Sequence, residues 1–317
     1  MSEPNSETVR AVVVDPEAPT HLGFGEAPLR SPSAQEVVVE VACFSLNRGE
    51  LRFAAGKPKG APIGWDVAGV VERGGGLPAG TRVVGFVRAQ DGWAEKVVLP
   101  ASDVAPLPDG VDFPTAAALP VAGGTALAVV DAAGPGLLGA RALVTGVTGG
   151  VGGLAVQLAR AAGATVVAQV RRPEQVAVAE ALGADEVVVT EDGAALADQA
   201  PFRLVADAVG GALLQNAIER LAPDGIAVSY GVTGAADVSL PLRALFGKGR
   251  ASLRGLNLYA VSEVSPPRQW LTRLLELCER GRLRPDVVDR GDWSAVAQVA
   301  DDLLARRFMG KAVLHVA

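Results

Sequence analysis

Over the first third of the chain, short apolar, β-branched runs at 37–41, 67–71, 83–87 and 96–99 are separated by turn residues, among them Gly74-Gly75-Gly76 and Pro108-Asp109-Gly110. Runs this short with turn chemistry between them predict antiparallel strands in a mostly β, barrel-like domain ending near residue 122. From Arg141 the period changes. A strand at 142–145 leads through a glycine-rich turn into an amphipathic helix at 151–162, stopped by Gly163, and a second strand follows at 165–170. That is a βαβ unit, and it repeats. Pro173 opens a helix that Gly183 closes, strands follow at 186–189 and 204–208, then a helix at 212–221, and Gly225 leads into a strand at 226–230. Alternation of this kind predicts an α/β domain with a doubly wound parallel sheet. The tail from 258 carries two helices, 269–280 and 296–306, and a last strand at 312–316. No internal repeat or low-complexity tract interrupts the pattern.

The turn between the first strand and helix of the α/β part reads Gly146-Val147-Thr148-Gly149-Gly150-Val151-Gly152-Gly153. Glycines at a strand-to-helix junction let the backbone turn tightly and approach a pyrophosphate, whose charge then meets free N–H groups and the helix dipole. The bland reading, glycines that only permit close helix–strand packing, is weakened by this context. Gly146, Thr148, Gly149, Gly150, Val151 and Gly152 are therefore the candidate dinucleotide contacts. The second strand of such a unit selects the cofactor at its tip, where an acidic residue binds ribose hydroxyls. Here the tip reads Gln169-Val170-Arg171-Arg172, without a carboxylate. Two guanidiniums suit a 2′-phosphate, so Arg171 and Arg172 favour NADPH over NADH. A merely solvated arginine pair would sit unfavourably at a helix start.

Composition narrows the classes. The chain of 317 residues is long enough for two domains, and 49% hydrophobic with 20% charged residues is the balance of a packed globular protein. A formal net charge of −6 sets the molecular field against nucleic acid and anionic membrane surfaces. The two cysteines, Cys43 and Cys278, exclude a disulfide scaffold and suit a reducing compartment; both read as buried apolar fillers. The polar start MSEPNSETVR has no apolar core of a signal peptide, and the uncharged stretch 142–159 is too rich in glycine and polar residues for a membrane span. A cytoplasmic location is the expectation.

Several further segments, in order and spacing, carry a resemblance along almost the whole chain. They are Ser45-Leu46-Asn47, Gly64-Trp65-Asp66-Val67-Ala68-Gly69-Val70, Gly92-Trp93-Ala94-Glu95, Leu119 to Ala122 through Thr125-Ala126, the glycine turn, Leu182-Gly183-Ala184-Asp185, Asp207 with Gly210-Gly211, and Gly310-Lys311. With these the chain resembles the medium-chain dehydrogenase/reductases, specifically their zinc-free, quinone oxidoreductase-like branch. The resemblance implies a GroES-like catalytic domain from both chain ends (1–122 and 258–317), a Rossmann-like NADPH-binding domain at 123–257, an active site in the cleft, and a homodimer joined along the strand near 252–256. Zinc-dependent members carry a histidine in the segment matched by 64–70 and a cysteine near Asn47. This chain has Trp65 and Asn47 there, lacks a structural zinc lobe, and holds two histidines, His21 and His315, which read as ordinary turn or strand residues. A conventional zinc site cannot be assembled from that inventory.

The branch it resembles reduces quinones or activated C=C bonds with hydride from NADPH, the protein orienting the nicotinamide and stabilising charge on the substrate oxygen. By that resemblance Asn47 fixes the nicotinamide end, Thr125 lines the cofactor cleft, and Val209, Gly231 and Val232 border the cofactor at the carboxyl edge of the sheet. Where some members have a tyrosine after the asparagine, this chain has Arg48, expected either to stabilise an enolate or quinol oxygen or to lie on the surface; Trp65 is expected to wall a flat substrate or to pack. The proton is expected from water. Two alternatives stay open: an enoyl-thioester reductase, and a noncatalytic NADPH-binding sensor or RNA-associated protein, the latter disfavoured by the acidic charge.

Overall fold

The computed structural model describes residues 7–240 and 242–316. The polar start of the chain, 1–6, where no signal peptide is expected, lies outside them. Two compact units emerge among them, one of residues 7–124 with 262–316 and one of 125–240 with 242–261.

In the first unit, seven strands form a sheet in which Val287–Asp292 and Lys311–His315 pair in parallel and the other pairings are antiparallel. Lys311–His315 lies against Glu36–Ser45, so the last strand of the chain completes a sheet begun near its start. Two strands that sequence patterning does not single out, Thr8–Val14 and Leu22–Pro28, pair into a separate ribbon. The core is aromatic at its centre. Phe44 stacks on Trp93 at 5.1 Å and meets Trp293 edge-on at 6.3 Å, and all three are fully buried, each contributing about 1.5–3 kcal/mol of apolar burial or more.

The second unit holds six parallel strands, Glu186–Val189, Thr165–Val170, Arg141–Val144, Phe202–Asp207, Leu221–Ser229 and Ser252–Gly255 in spatial order. Numbered along the chain this is the order 3-2-1-4-5-6 of a dinucleotide-binding sheet, in which the strand order reverses beside the first strand. The expected helix after the glycine turn runs Gly150–Ala161, one residue earlier than its apolar period suggests, and buries Leu154, Ala155, Leu158 and Ala159. The fifth strand starts at Leu221, well before Gly225, because Leu221 itself pairs with Phe202. No helix among the described residues is long and apolar enough to cross a membrane.

Candidate functional site

The carboxyl edge of the parallel sheet is shaped by backbone geometry first. Gly146 follows the first strand with φ of +63°, a conformation that L side chains rarely adopt. Gly152 lies one helical turn further, packed so closely on that bend that a Cβ would stand 2.3 Å from Gly146 O and 2.8 Å from Val147 Cα. The turn therefore folds back over the first turn of the helix Gly150–Ala161, leaving that helix's leading N–H groups at the end of the dipole. Thr148 and Val151 are half-buried there and Gly149 is exposed.

A buried carboxylate braces the neighbouring loop. Asp207, at the end of the fourth strand, accepts Thr145 Oγ1 (2.9 Å), Val209 N (3.2 Å) and Gly210 N (2.9 Å). Thr145 Oγ1 in turn accepts Ala208 N at 3.0 Å, so the first and fourth strands share one hydrogen-bonded knot where the chain leaves the sheet. Burial pushes the Asp207 carboxyl up, and those donors pull it back part of the way. The loops after the fourth and fifth strands are stitched together by Thr233 N to Ala208 O (3.0 Å) and Gly234 N to Val209 O (2.9 Å). This brings Val209, Gly231 and the exposed Val232 to one edge. Beside them the Tyr230 hydroxyl is buried with no hydrogen-bond partner among the described residues; burial and then the Asp207 charge drive its phenol upward. Thr125 is buried in the helix Pro120–Ala132.

At the tip of the second strand, Gln175 Oε1 accepts the backbone N–H of both Arg171 (3.1 Å) and Arg172 (3.2 Å). That one buried amide fixes the bend, while both arginine side chains stand in solvent and neither guanidinium has an ion-pair or hydrogen-bond partner among the described residues.

Within the first unit lies a buried polar cluster around Asn47. Asp66 Oδ2 accepts Ser45 Oγ (2.7 Å), Asn47 Nδ2 (2.7 Å) and Lys311 Nζ (3.0 Å), and Asp66 Oδ1 accepts Val121 N (2.9 Å) at the start of a helix. Lys311 Nζ places its other two donors on Leu46 O (3.0 Å) and Asn47 Oδ1 (2.7 Å). With 5% and 0% of their side chains exposed, Lys311 and Asp66 form a buried ion pair whose desolvation is offset by these additional hydrogen bonds. Glu50, also buried, reaches back to Asn47 N as the third residue of a capping box does (2.6 Å) and accepts Trp65 N through its other oxygen (2.6 Å).

Burial, and then the nearby Asp66 charge, push Glu50 from an ordinary 4.5 up to about 8, with Lys311 and the two N–H donors opposing. An acid whose folded pKa is raised binds its proton more tightly folded than unfolded. Its contribution is therefore full at low pH and is lost as pH rises to the folded value. Urea unfolding of the wild type is expected to weaken between about pH 4.5 and 8 by a few kcal/mol from this group, and Glu50→Gln to flatten that dependence; parallel pH profiles for the two proteins would refute the assignment.

Arg48 and Trp65, each expected either to meet the substrate or to lie on the surface or pack, have these surroundings in the first unit. Arg48 Nη2 donates to Leu303 O at 2.6 Å and Leu304 O at 3.4 Å. The guanidinium caps the carboxyl end of the helix Val296–Leu304, where helix dipole and orphan carbonyls favour a cation. Trp65, 7% exposed, packs so closely on Gly49 that a Cβ there would lie 2.8 Å from the indole, and Phe53 meets it edge-on at 5.8 Å. His21 lies in an exposed turn. His315 bridges Cys43 Sγ (3.3 Å) and Asp289 Oδ2 (3.0 Å) across neighbouring strands. Both cysteines are free, and burial pushes each thiol up to about 12. Among the described residues no three His, Cys, Asp or Glu side chains gather where a metal ion could be held.

Residues 150–278 match the family profile described as zinc-binding dehydrogenase. The chain is 28% identical to the quinone oxidoreductase of Pseudomonas aeruginosa over 93% of its own length and 96% of that protein, and 30% identical to prostaglandin reductase-3 of Mus musculus over 81% and 73%. Among solved structures, the quinone oxidoreductase of Pseudomonas syringae pv. Tomato superposes with a TM-score of 0.84 at 28% identity, covering 97% of this chain and 99% of that one. With the parallel sheet, its glycine turn and the sheet closed by both chain ends already in view, these matches identify the chain as an oxidoreductase of the medium-chain dehydrogenase/reductase family, in its quinone oxidoreductase-like branch.

Proposed function

We propose that this chain is a zinc-independent reductase that passes hydride from NADPH to a quinone or to the activated C=C bond of an enone or enal. The observation that carries the cofactor choice is the pair of exposed guanidiniums of Arg171 and Arg172, without a partner among the described residues, at the tip of the second strand, where a 2′-phosphate is read in this type of sheet. The tight turn at Gly146 and Gly152 and the helix start behind it fit a pyrophosphate. The relatives named as quinone oxidoreductases and as a prostaglandin reductase support the acceptor class.

When bound, NADPH supplies the hydride. The chain's own residues do the rest: the glycine turn holds the diphosphate, Asp207 and Thr145 keep Val209 and the turn in register, Gly231 and Val232 border the cofactor, Thr125 lines its cleft, and Asn47 orients the reacting end. Trp65 in the zinc ligand's position supports a reaction without metal, as does an inventory of two histidines. Solvent supplies the proton. The edge strand Ser252–Gly255, all four residues exposed, supports a homodimer paired along that edge, and two free cysteines suit the cytoplasm.

Oxidation of NADPH by the purified protein against quinones, 2-alkenals, cyclic enones and enoyl thioesters, with NADH in parallel and a chelator control, tests this reading. Turnover of quinones or enones with NADPH, unaffected by chelator, is expected. Turnover confined to enoyl thioesters would replace the acceptor class, and tight NADPH binding without any turnover would make the protein a sensor.

A further inference from the structure

We infer that Lys311 and Asp66 are positioning residues that lock the Asn47 carboxamide in one orientation, so that Asn47 meets its ligand as a hydrogen-bond donor to a carbonyl oxygen. The inference rests on the reductase reading only for the identity of that ligand. An asparagine side chain offers two donors on nitrogen and an acceptor oxygen, and nothing in its shape decides which faces where; the surrounding partners do. Here both neighbours are one-sided. An ammonium has no acceptor, so the atom 2.7 Å from Lys311 Nζ is Oδ1. An ionised carboxylate has no donor, so the atom 2.7 Å from Asp66 Oδ2 is Nδ2. Rotating the amide by half a turn would set NH2 against NH3+ and C=O against COO− in the same buried space.

The surroundings leave little room for another arrangement. Lys311 has all three donors engaged. Asp66 is anchored from its other oxygen by Val121 N, and the Asn47 backbone is held by Glu50. Asn47 itself is half-buried. Among the described residues one amide N–H remains uncommitted, while Oδ1 is polarised by the ammonium. Polarisation through the amide strengthens the remaining donor and weakens the oxygen as a second acceptor. What Asn47 recognises is therefore an acceptor oxygen. A carbonyl is the group that both the nicotinamide carboxamide and the quinone or enone would present.

A double-mutant cycle on Asn47→Ala and Lys311→Met tests the coupling, with NADPH Kd from fluorescence titration and kcat and KM from steady-state turnover. Each single variant is expected to lose about 10- to 100-fold in one quantity, which is the scale of one hydrogen bond to a charged or polarised group. NADPH affinity falls if the carbonyl is the cofactor's; kcat falls at unchanged NADPH Kd if it is the substrate's. In either case the double variant is no worse than Asn47→Ala. Losses that multiply, or a Lys311→Met enzyme unchanged in the quantity that Asn47→Ala reduces, would overturn the inference. Should Lys311→Met fail to fold, Lys311→Gln makes the same comparison, because the glutamine amide, one bond shorter and uncharged, offers either polarity.

A second measurement needs no turnover. In protein labelled with 15N-asparagine, the Asn47 side-chain NH2, assigned by its loss in Asn47→Ala, is expected to show two distinct protons, one slow to exchange with solvent. In the Lys311 variant both should exchange and average as the amide flips. An unchanged NH2 signal would overturn the lock. Failure of the wild type to reduce any acceptor would count against the reductase reading and leave the amide result standing.

Discussion

Gly152→Ala is expected to weaken NADPH binding by about 100-fold or more, roughly 2.8 kcal/mol, and to lower the unfolding free energy by about 1–3 kcal/mol. The added methyl would sit 2.3 Å from Gly146 O, 2.8 Å from Gly146 C and 2.8 Å from Val147 Cα. All three are backbone atoms of the bend proposed to hold the diphosphate, so no rotamer change relieves the contact; the turn or the helix start has to move. On the proposed reading either movement displaces the N–H groups that would receive the phosphate, and their value depends on being in place before the ligand arrives. Gly153→Ala is the control. Its methyl would meet Leu182 Cδ2 and Val147 O at 3.4 Å, ordinary contacts, and fold and affinity are expected to stay near wild type. Fluorescence titration of the two variants decides the matter: a Gly152→Ala protein that binds NADPH as well as Gly153→Ala would show that this turn does not hold the cofactor.

The difference between these adjacent glycines marks how far the sequence can be read. Five of the six strands of the parallel sheet are visible in it because each is an apolar run closed by glycine or polar residues, and the glycine turn falls between a visible strand and a visible helix. The sixth, Ser252–Gly255, is exposed at every position, so no apolar run marks it and it enters only through the family resemblance. The capping-box spacing from Asn47 to Glu50 is also local, a signal that the sequence analysis passed over and that could have found Glu50. The rest of the Asn47 site is not local. Lys311 meets Asp66 across 245 positions and Arg48 reaches Leu303 across 255, and no periodicity encodes a pairing made by strands brought together from both chain ends. A lysine opening the apolar strand Lys311–His315 is the trace such a pairing leaves, since an ammonium is buried only where partners wait. Arg48 and Trp65, for which the resemblance left a substrate contact or a surface or packing role open, illustrate the same limit: their neighbours in space are helix carbonyls, Gly49 and Phe53.

Replacing Arg171 and Arg172 together by alanine is expected to raise the NADPH Kd by about 10- to 100-fold while moving the NADH Kd less than about twofold. A charge-assisted hydrogen bond contributes about 1.5–3 kcal/mol, and exposure discounts that for side chains standing in solvent; together the pair should supply about 1–3 kcal/mol. The substitutions leave the backbone alone, since Gln175 holds Arg171 and Arg172 by their N–H groups and alanine retains both. They also remove positive charge from the start of the helical segment Pro173–Gln175, a place where the dipole disfavours it, so the fold is expected to be no less stable. The selectivity should shrink with added salt even in the wild type, because exposed charges a few ångströms from a phosphate are screened within a Debye length of about 8–10 Å. Equal losses for both dinucleotides would mean the strand tip had been damaged, and no loss for either would mean that the 2′-phosphate is read elsewhere. Loss for NADPH alone, fading with salt, is the signature that only a guanidinium–phosphate contact at this tip produces.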